Sequence, residues 1–364
     1  MRRGTRARIR PDAIRHNLQT IKNMAPGCNV MAVIKANAYG HGLIPVARAL
    51  EAADALAVAR LTEAFQLRDA GISKTLTLLG GVLSADDLAA ALDIDVHIGI
   101  HHEQQIRWVE EAGCSVPMAW LKVDTGMGRL GIAPCEAAGA IERLRTCVDR
   151  LGLLTHFSSA DELNSDTTPK QIERFLDVID TFDGDISIAN SAAVLRWKFV
   201  LDAVASAVNS GNLWIRPGLS LYGISPFPDQ SGREIGLQPA MQLESSLLSV
   251  KRLPAGSPVG YGGTWRPKED TWLGVVAGGY GDGYSRFIPS GTPILVKGRR
   301  ALVVGRVSMD LTAVDLGPNA TDKVGDPVIF WGDNLPVEEI AQAAGTIPYQ
   351  LVTGVTHREP AVYE

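Results

Sequence analysis

A parallel (β/α)₈ barrel followed by a mainly β domain is the fold class this chain predicts, and three observations carry it. Over the first two-thirds of the sequence, short apolar runs alternate eight times with helix-like runs. Most of those short runs are continuously apolar, as strands covered on both faces must be. After about Ser225 the helical pattern fades, and strand-like runs separated by Gly and Pro take over, the texture of a β domain.

The predicted barrel strands are Asn29–Ala36, Ala55–Arg60, Thr75–Gly80, Asp95–Ile100, Met118–Asp124, Leu153–Ser159, Asp185–Ser191 and Leu213–Gly218. Between them lie helical patterns at Arg60–Ala70, Glu103–Ala112, Glu136–Cys147 and Lys170–Thr181, with turn residues at their edges. A doubly wound open sheet is the rival, but no Gly-x-Gly-x-x-Gly turn follows the first strand. The β part reads as Ser245–Val250, Leu273–Ala277, Pro293–Val296, Leu302–Val307 and Pro327–Phe330, with one helical pattern at Val337–Ala344. The expected domains are therefore 10–228 for the barrel and 229–364 for the β domain, with a strand within 1–9 as a candidate addition to the latter.

At 364 residues, with 46% hydrophobic and 21% charged residues, the chain has globular composition. A formal charge of −5 gives no electrostatic footprint for nucleic acid. The opening Met1-Arg2-Arg3-Gly4-Thr5-Arg6-Ala7-Arg8 is basic, but no apolar segment follows, so it does not read as a secretory signal. No apolar run approaches membrane-spanning length. Cys28, Cys114, Cys135 and Cys147 have no metal-ligand spacing. A reduced, cytoplasmic protein with no metal, no nucleic acid and no membrane partner is expected.

Barrel enzymes work at the carboxyl ends of their strands, and the oddly placed polar residues fall there. Lys35 emerges from the first strand, in Val33-Ile34-Lys35-Ala36-Asn37-Ala38-Tyr39-Gly40. An amine in a partly dry site has a lowered pKa and serves as nucleophile or base, most often in a Schiff base to a carbonyl cofactor. The alternative is an ordinary lysine paired with a carboxylate. Lys122 and Asp124 end the fifth strand, His156 lies on the sixth, Asn190 and Ser191 end the seventh, and Arg216-Pro217-Gly218 ends the eighth.

As an ordered set, Ala32–Gly42, Lys122–Gly131, Thr155–Asp161, Asn190–Ala193, Arg216–Gly223, Tyr261–Trp265, Gly279–Tyr284 and Gly305–Asp310 resemble the alanine racemases, fold-type III pyridoxal phosphate (PLP) enzymes. The resemblance implies a homodimer with shared active sites that interconverts L- and D-alanine, supplying D-alanine for peptidoglycan or degrading it. It implies Lys35 as the Schiff-base lysine and one of two bases, and Tyr261 as the other, with His156 beside Tyr261. A free phenol near pKa 10 is a poor base, so its neighbours must favour phenolate. Arg216 is implied against the pyridine nitrogen, and since an arginine keeps its proton, that nitrogen stays unprotonated and transamination is disfavoured. Tyr39, Asn190, Ser191 and the backbone at Gly218 and Leu219 are implied around the cofactor, most of them at its phosphate, and His357 stands where one branch has a tyrosine. Arg129 and the backbone of Met309 from the partner subunit are implied to hold the substrate, and Lys122 to carry a carbamate.

Plain readings stand beside these. Tyr261 suits a β-domain core or interface at a strand start, Arg216 a barrel-rim salt bridge, and Ser191 an ordinary N-cap. Lys122 suits a lysine near Asp124, Met309 a core methionine, and His357 a surface histidine. Three other functions share parts of the pattern. A broader small-amino-acid (serine) racemase of the usual secreted kind would carry a signal peptide and paired cysteines. A non-catalytic PLP homeostasis protein lacks the β domain, and a basic-amino-acid decarboxylase needs a carboxy-terminal cysteine, whereas the last here is Cys147.

Overall fold

The structure is a computed structural model that describes residues 4–208, 211–356 and 358–364. His357 lies outside the described residues. The chain divides into two compact units: 15–38 with 43–221, and 1–14 with 39–42 and 222–364.

In the first unit, eight parallel strands close a barrel in sequence order. With β1 (Arg6–Ile9) assigned to the other sheet, they are β2 (Asn29–Val33), β3 (Ala55–Val58), β4 (Leu76–Leu78), β5 (Val96–Ile100), β6 (Ala119–Lys122), β7 (Leu151–Leu154), β8 (Asp185–Ser187) and β9 (Leu213–Ile215). The predicted barrel is therefore present, and its strands are shorter than expected. Several expected strands extend past these bounds because apolar residues continue there, and some pairing continues with them: the amides of Ile34, Leu79, Val123 and Thr155 still reach the carbonyls of Ala57, Val58, Leu154 and Ser187 on neighbouring strands. β2 stops at Val33, and from Ala36 the chain runs in a left-handed turn.

Alternation within strands decides what fills the barrel. Trp120 and Lys122 are two apart on β6, and Trp214 and Arg216 are two apart at β9, so each tryptophan shares a face with the cation above it. The indoles meet edge to face with ring centres 5.9 Å apart. Room for them comes from Gly152 on β7, opposite Trp120 in register. A Cβ at Gly152 would stand 2.5 Å from the Trp120 ring and 3.1 Å from the Asp185 carbonyl. Gly152→Ala is expected to destabilise the barrel by about 1–3 kcal/mol through overpacking, measurable by chemical denaturation.

The second unit holds an eight-stranded sheet in the order β11-β14-β13-β12-β15-β10-β1-β16, with β10 also paired to β11. Its strands are β10 (Met241–Leu253), β11 (Thr271–Ala277), β12 (Pro293–Val296), β13 (Arg299–Val303), β14 (Leu311–Gly317), β15 (Pro327–Trp331) and β16 (Val362–Tyr363). The pairing from β10 round to β15 and back makes a ring. The long β10 serves β1, β15 and β11 along its length, with register shifts at Leu243/Glu244 and Leu247/Ser249, where bulges bend it. β12 and β13 form a hairpin through Lys297-Gly298, both at positive φ (49° and 80°), as a tight two-residue turn requires.

Besides short 3₁₀ turns, three elements here were not read from the sequence: β14, the helix Pro348–Thr353 and the two-residue β16. β14 buries Thr312, Val314 and Leu316 on alternate positions, and the inward threonine weakens its apolar signal. The helix Pro348–Thr353 is only six residues long and sits beside Gly and Pro. Residues Cys28, Cys114, Cys135 and Cys147 are free thiols. Among the described residues, no helix is long and apolar enough to cross a membrane.

Candidate active site

Four cations gather at the carboxyl end of the barrel. Lys35 follows β2, Lys122 ends β6, Arg216 follows β9, and Arg129 stands in the loop after β6. Each of them perturbs the imidazole of His156, which follows β7 and is mostly buried. Burial first, then Arg216, Lys122, Arg129 and Lys35, hold His156 well below its ordinary pKa. His156 is therefore neutral near pH 7. Burial lowers Lys35, Arg129 lowers it further, and Glu63 works in the opposite sense. Lys122, 8% exposed, is pulled down to about 8 by burial, then by Arg129 and Arg216.

Arg216 is almost fully enclosed, and burial pulls its pKa down to about 10. Its guanidinium donates to the Ser187 hydroxyl at 2.6 Å, to the Thr155 carbonyl, and to the Ile188 carbonyl at 3.4 Å. Among the described residues no carboxylate pairs with it, so a barrel-rim salt bridge is not what this arginine makes. It ends instead as a fixed donor inside the mouth.

The loop carrying Arg129 is built on Asp124. One oxygen of that carboxylate accepts the amides of Gly126 (2.9 Å), Met127 (2.8 Å) and Gly128 (3.1 Å). Burial pushes the Asp124 carboxyl up, and those amides with Lys122 more than reverse it, leaving the pKa low. Gly126, Gly128 and Gly131 all have positive φ, which a loop this tight requires. Arg174 anchors its base by donating to the Thr125 carbonyl at 2.8 Å.

Asn190 caps the helix Ser191–Arg196 by accepting the Ala193 amide at 3.0 Å. That corrects one expectation: Asn190 is the N-cap, and Ser191 is the first helical residue. The Ser191 hydroxyl instead receives the Gly218 amide (3.0 Å), the Ser220 amide (3.2 Å) and the Ser220 hydroxyl (3.0 Å). Leu219 lies between the two donors, at the start of a 3₁₀ turn, Leu219–Tyr222. Amides and hydroxyls converging in this way suit an oxyanion.

The backbone after Lys35 is unusual. Ala36, Asn37 and Ala38 have φ/ψ near +54°/+50°, one turn of left-handed helix. Non-glycine residues avoid this region at about 1–2 kcal/mol each, and such strain concentrates at functional sites.

The remaining candidates lie in the second unit. Tyr39 is buried there, its ring 4.9 Å from that of Tyr222 and 5.9 Å from that of Tyr349. Burial, then Tyr349, pushes its phenol pKa up, so the hydroxyl stays protonated. Tyr261 occupies a 3₁₀ turn, Tyr261–Gly263, and not a strand start. It is 66% exposed, which removes the core reading, and the Arg286 guanidinium lies 6.0 Å from its ring centre. Met309 is 54% exposed, so it is not a core methionine, and its carbonyl accepts the Gly281 amide at 2.8 Å.

Residues 9–226 match the family model described as alanine racemase, N-terminal domain, and 240–363 match alanine racemase, C-terminal domain. The chain belongs to the alanine racemase family. It is 48% identical over 356 residues to an alanine racemase of Aeromonas hydrophila, covering 97% of each chain. It is 47% identical over 356 residues to a biosynthetic alanine racemase of Escherichia coli, covering 96% of each. Its structure is similar to the crystal structure of a biosynthetic alanine racemase from Pseudomonas aeruginosa, with TM-score 0.93, 42% identity and full coverage of both chains.

For this member of the alanine racemase family, several site neighbours were not singled out in the sequence. Ser187 and Ser220 are small polar residues in apolar company, and only the closed barrel brings their hydroxyls to Arg216 and Ser191; Thr155 meets Arg216 through its backbone carbonyl, which no residue type announces. Glu63 reads in sequence as a helix-start glutamate. Arg286 is one surface arginine among many until the fold brings it over Tyr261.

Proposed function

We propose that this chain interconverts L- and D-alanine using PLP held on Lys35, with Lys35 and Tyr261 as the two bases. The observation that supports this best is the cationic barrel mouth around a partly dry lysine, with Arg216 in place of the carboxylate many PLP enzymes use. The residues suit the cofactor. Lys35 supplies the amine, the Ser191, Gly218, Leu219 and Ser220 cradle suits a phosphate dianion, and Arg216 offers a donor for the ring nitrogen. When bound, PLP withdraws electrons from the amino-acid α-carbon and so acidifies its proton.

The protein's own residues then do three things. Lys35, its pKa lowered by burial and Arg129, accepts a proton on one face and returns it there. Tyr261 does the same on the opposite face. Arg129 holds the substrate carboxylate, and the buried neutral His156 takes its place beside Tyr261 without adding a fifth positive charge.

Tyr261 and the Met309 backbone come from the partner subunit in this reading, which makes the protein a homodimer. Tyr261, Tyr280, Phe287, Met309 and Leu311 of the second unit are exposed large apolar side chains, and such exposure supports an association. Lys122 carries a carbamate in this reading. An amine pulled down to about 8 is partly unprotonated near neutral pH and free to combine with carbon dioxide, and the resulting anion would hold Arg129. Protein prepared in ¹³C-bicarbonate is expected to show a carbamate carbon signal that Lys122→Ala abolishes; an identical spectrum in the variant would refute the assignment.

Cofactor attachment is tested directly. Protein loaded with PLP should be yellow, lose its colour on borohydride treatment, and retain a pyridoxyl mass on the Lys35 peptide. A chain that takes up no PLP overturns the reading. L-alanine should be racemised faster than L-serine; the reverse order would favour the broader racemase. Arg216→Glu tests the nitrogen partner. Racemisation should fall by about 10- to 100-fold while pyruvate, the transamination product of alanine, rises. Unchanged partitioning between the two products would mean that Arg216 does not face the ring nitrogen.

A further inference from the structure

Ile34 is held within the barrel by its amide to the Ala57 carbonyl, at 2.9 Å. Two residues beyond it, at Ala36, the chain enters the left-handed conformation without a glycine to ease the change. Inside the first unit, three interactions hold that turn. The Ala38 amide reaches the Ile34 carbonyl at 2.8 Å, the Leu43 amide reaches the Asn37 side chain at 2.9 Å, and the Ala36 amide donates to Glu63 Oε1 at 2.6 Å.

Glu63 is the third residue of the helix Leu61–Asp69. Its other oxygen, Oε2, accepts the amides of Ala59 (2.9 Å) and Arg60 (3.1 Å). An acid that only reciprocates at a helix start needs the N-cap amide. Glu63 satisfies that role with Oε2 and spends Oε1 on the residue immediately after Lys35. One carboxylate thus ties the end of the second barrel strand to the turn after the first, and accepts three backbone donors in its ionised form.

We propose that Glu63 is a positioning residue for Lys35: its carboxylate clamps the left-handed turn through the Ala36 amide, fixing the direction of the ε-amine and supplying a negative charge at a mouth otherwise crowded with cations. The inference rests on the reading of Lys35 as the cofactor-bearing base. The charge effect is in the matching direction, since burial and Arg129 lower the Lys35 pKa while Glu63 raises it. Removing Glu63 should leave Lys35 easier to deprotonate but less well aimed.

The test uses cofactor-free protein, pulsed with acetic anhydride from neutral to alkaline pH, with acetylation of the Lys35 peptide quantified by mass spectrometry. In both Glu63→Gln and Glu63→Ala, the midpoint for Lys35 should move to lower pH than in the wild type. With PLP bound, kcat should fall about 10- to 100-fold while KM for alanine stays within about threefold, as misaim of a base without loss of binding requires. Glu63→Gln keeps the side chain's size and one acceptor oxygen, so it provides the measurement should Glu63→Ala fail to fold. Folded variants with a wild-type Lys35 profile and wild-type kcat would overturn the proposal, leaving Glu63 as a helix cap only. Wild-type protein that fixes no PLP on Lys35 would instead refute the cofactor reading, and the acetylation profile would still decide whether Glu63 governs the amine.

Discussion

Lys35→Ala is expected to lower kcat/KM for L-alanine by about 10⁴-fold or more, because one substitution removes both the cofactor's attachment and one of the two bases. The fold should survive. Lys35 lies past the end of β2, partly exposed, and the strand before it is secured by backbone bonds from Val33 to Pro217 and from Ile34 to Ala57. A thermal midpoint within a few degrees of wild type, alongside lost activity, is the predicted pair of results. Addition of a small primary amine should return part of the activity, since an amine diffusing into the mouth can move the proton that Lys35 no longer moves. Residual racemisation near the wild-type rate would assign the base elsewhere.

Tyr261→Ala should cost about 10³-fold or more in racemisation, with almost no change in stability, since the ring is 66% exposed and contributes little to any core. The loss should be one-sided. In this account Lys35 serves the face bearing the D-alanine proton, so the variant should still exchange the α-proton of D-alanine with deuterated solvent while exchanging that of L-alanine poorly. Mixing Tyr261→Ala with Lys35→Ala then tests the shared site. Random pairing makes about half the dimers mixed, each with one site holding both intact residues, so roughly a quarter of wild-type activity should return. No recovery after verified subunit exchange would place Lys35 and Tyr261 in one chain's site, or remove Tyr261 as the second base.

The barrel was legible because its strands are buried on both faces and therefore read as continuous apolar runs, such as Val30 to Val33. The strand ends were less legible. Past Ser187, Ile188 and Ala189 are still apolar and still backbone-bonded to Trp214 and Arg216, and nothing in their composition announces that the Asn190 cap follows. β14 was missed because an inward threonine breaks its apolar alternation. In the site, Lys35, Lys122 and Arg216 stood out as charges at the ends of apolar strands, whereas Arg129, seven residues past Lys122 in a loop, was marked only by the family resemblance. Glu63 and Asp124 did not reveal their structural work, because a carboxylate's backbone partners are set by how loops close and not by its neighbours in sequence. The left-handed turn after Lys35 left no signal either: the expected strand ran on through Ala36, no glycine marks the change, and only the closed fold holds Ala36-Asn37-Ala38 in the conformation that L-residues avoid.

The central claim is that Lys35 of one protomer and Tyr261 of its partner together remove and return an α-proton on both faces of alanine. It is tested most directly by incubating PLP-loaded protein with L-alanine in deuterium oxide and following chirality and α-carbon isotope together. The account predicts D-alanine carrying deuterium at the α-carbon, approaching equal amounts of the two enantiomers. L-alanine that stays both undeuterated and of one hand, in protein shown to carry PLP on Lys35, would contradict it.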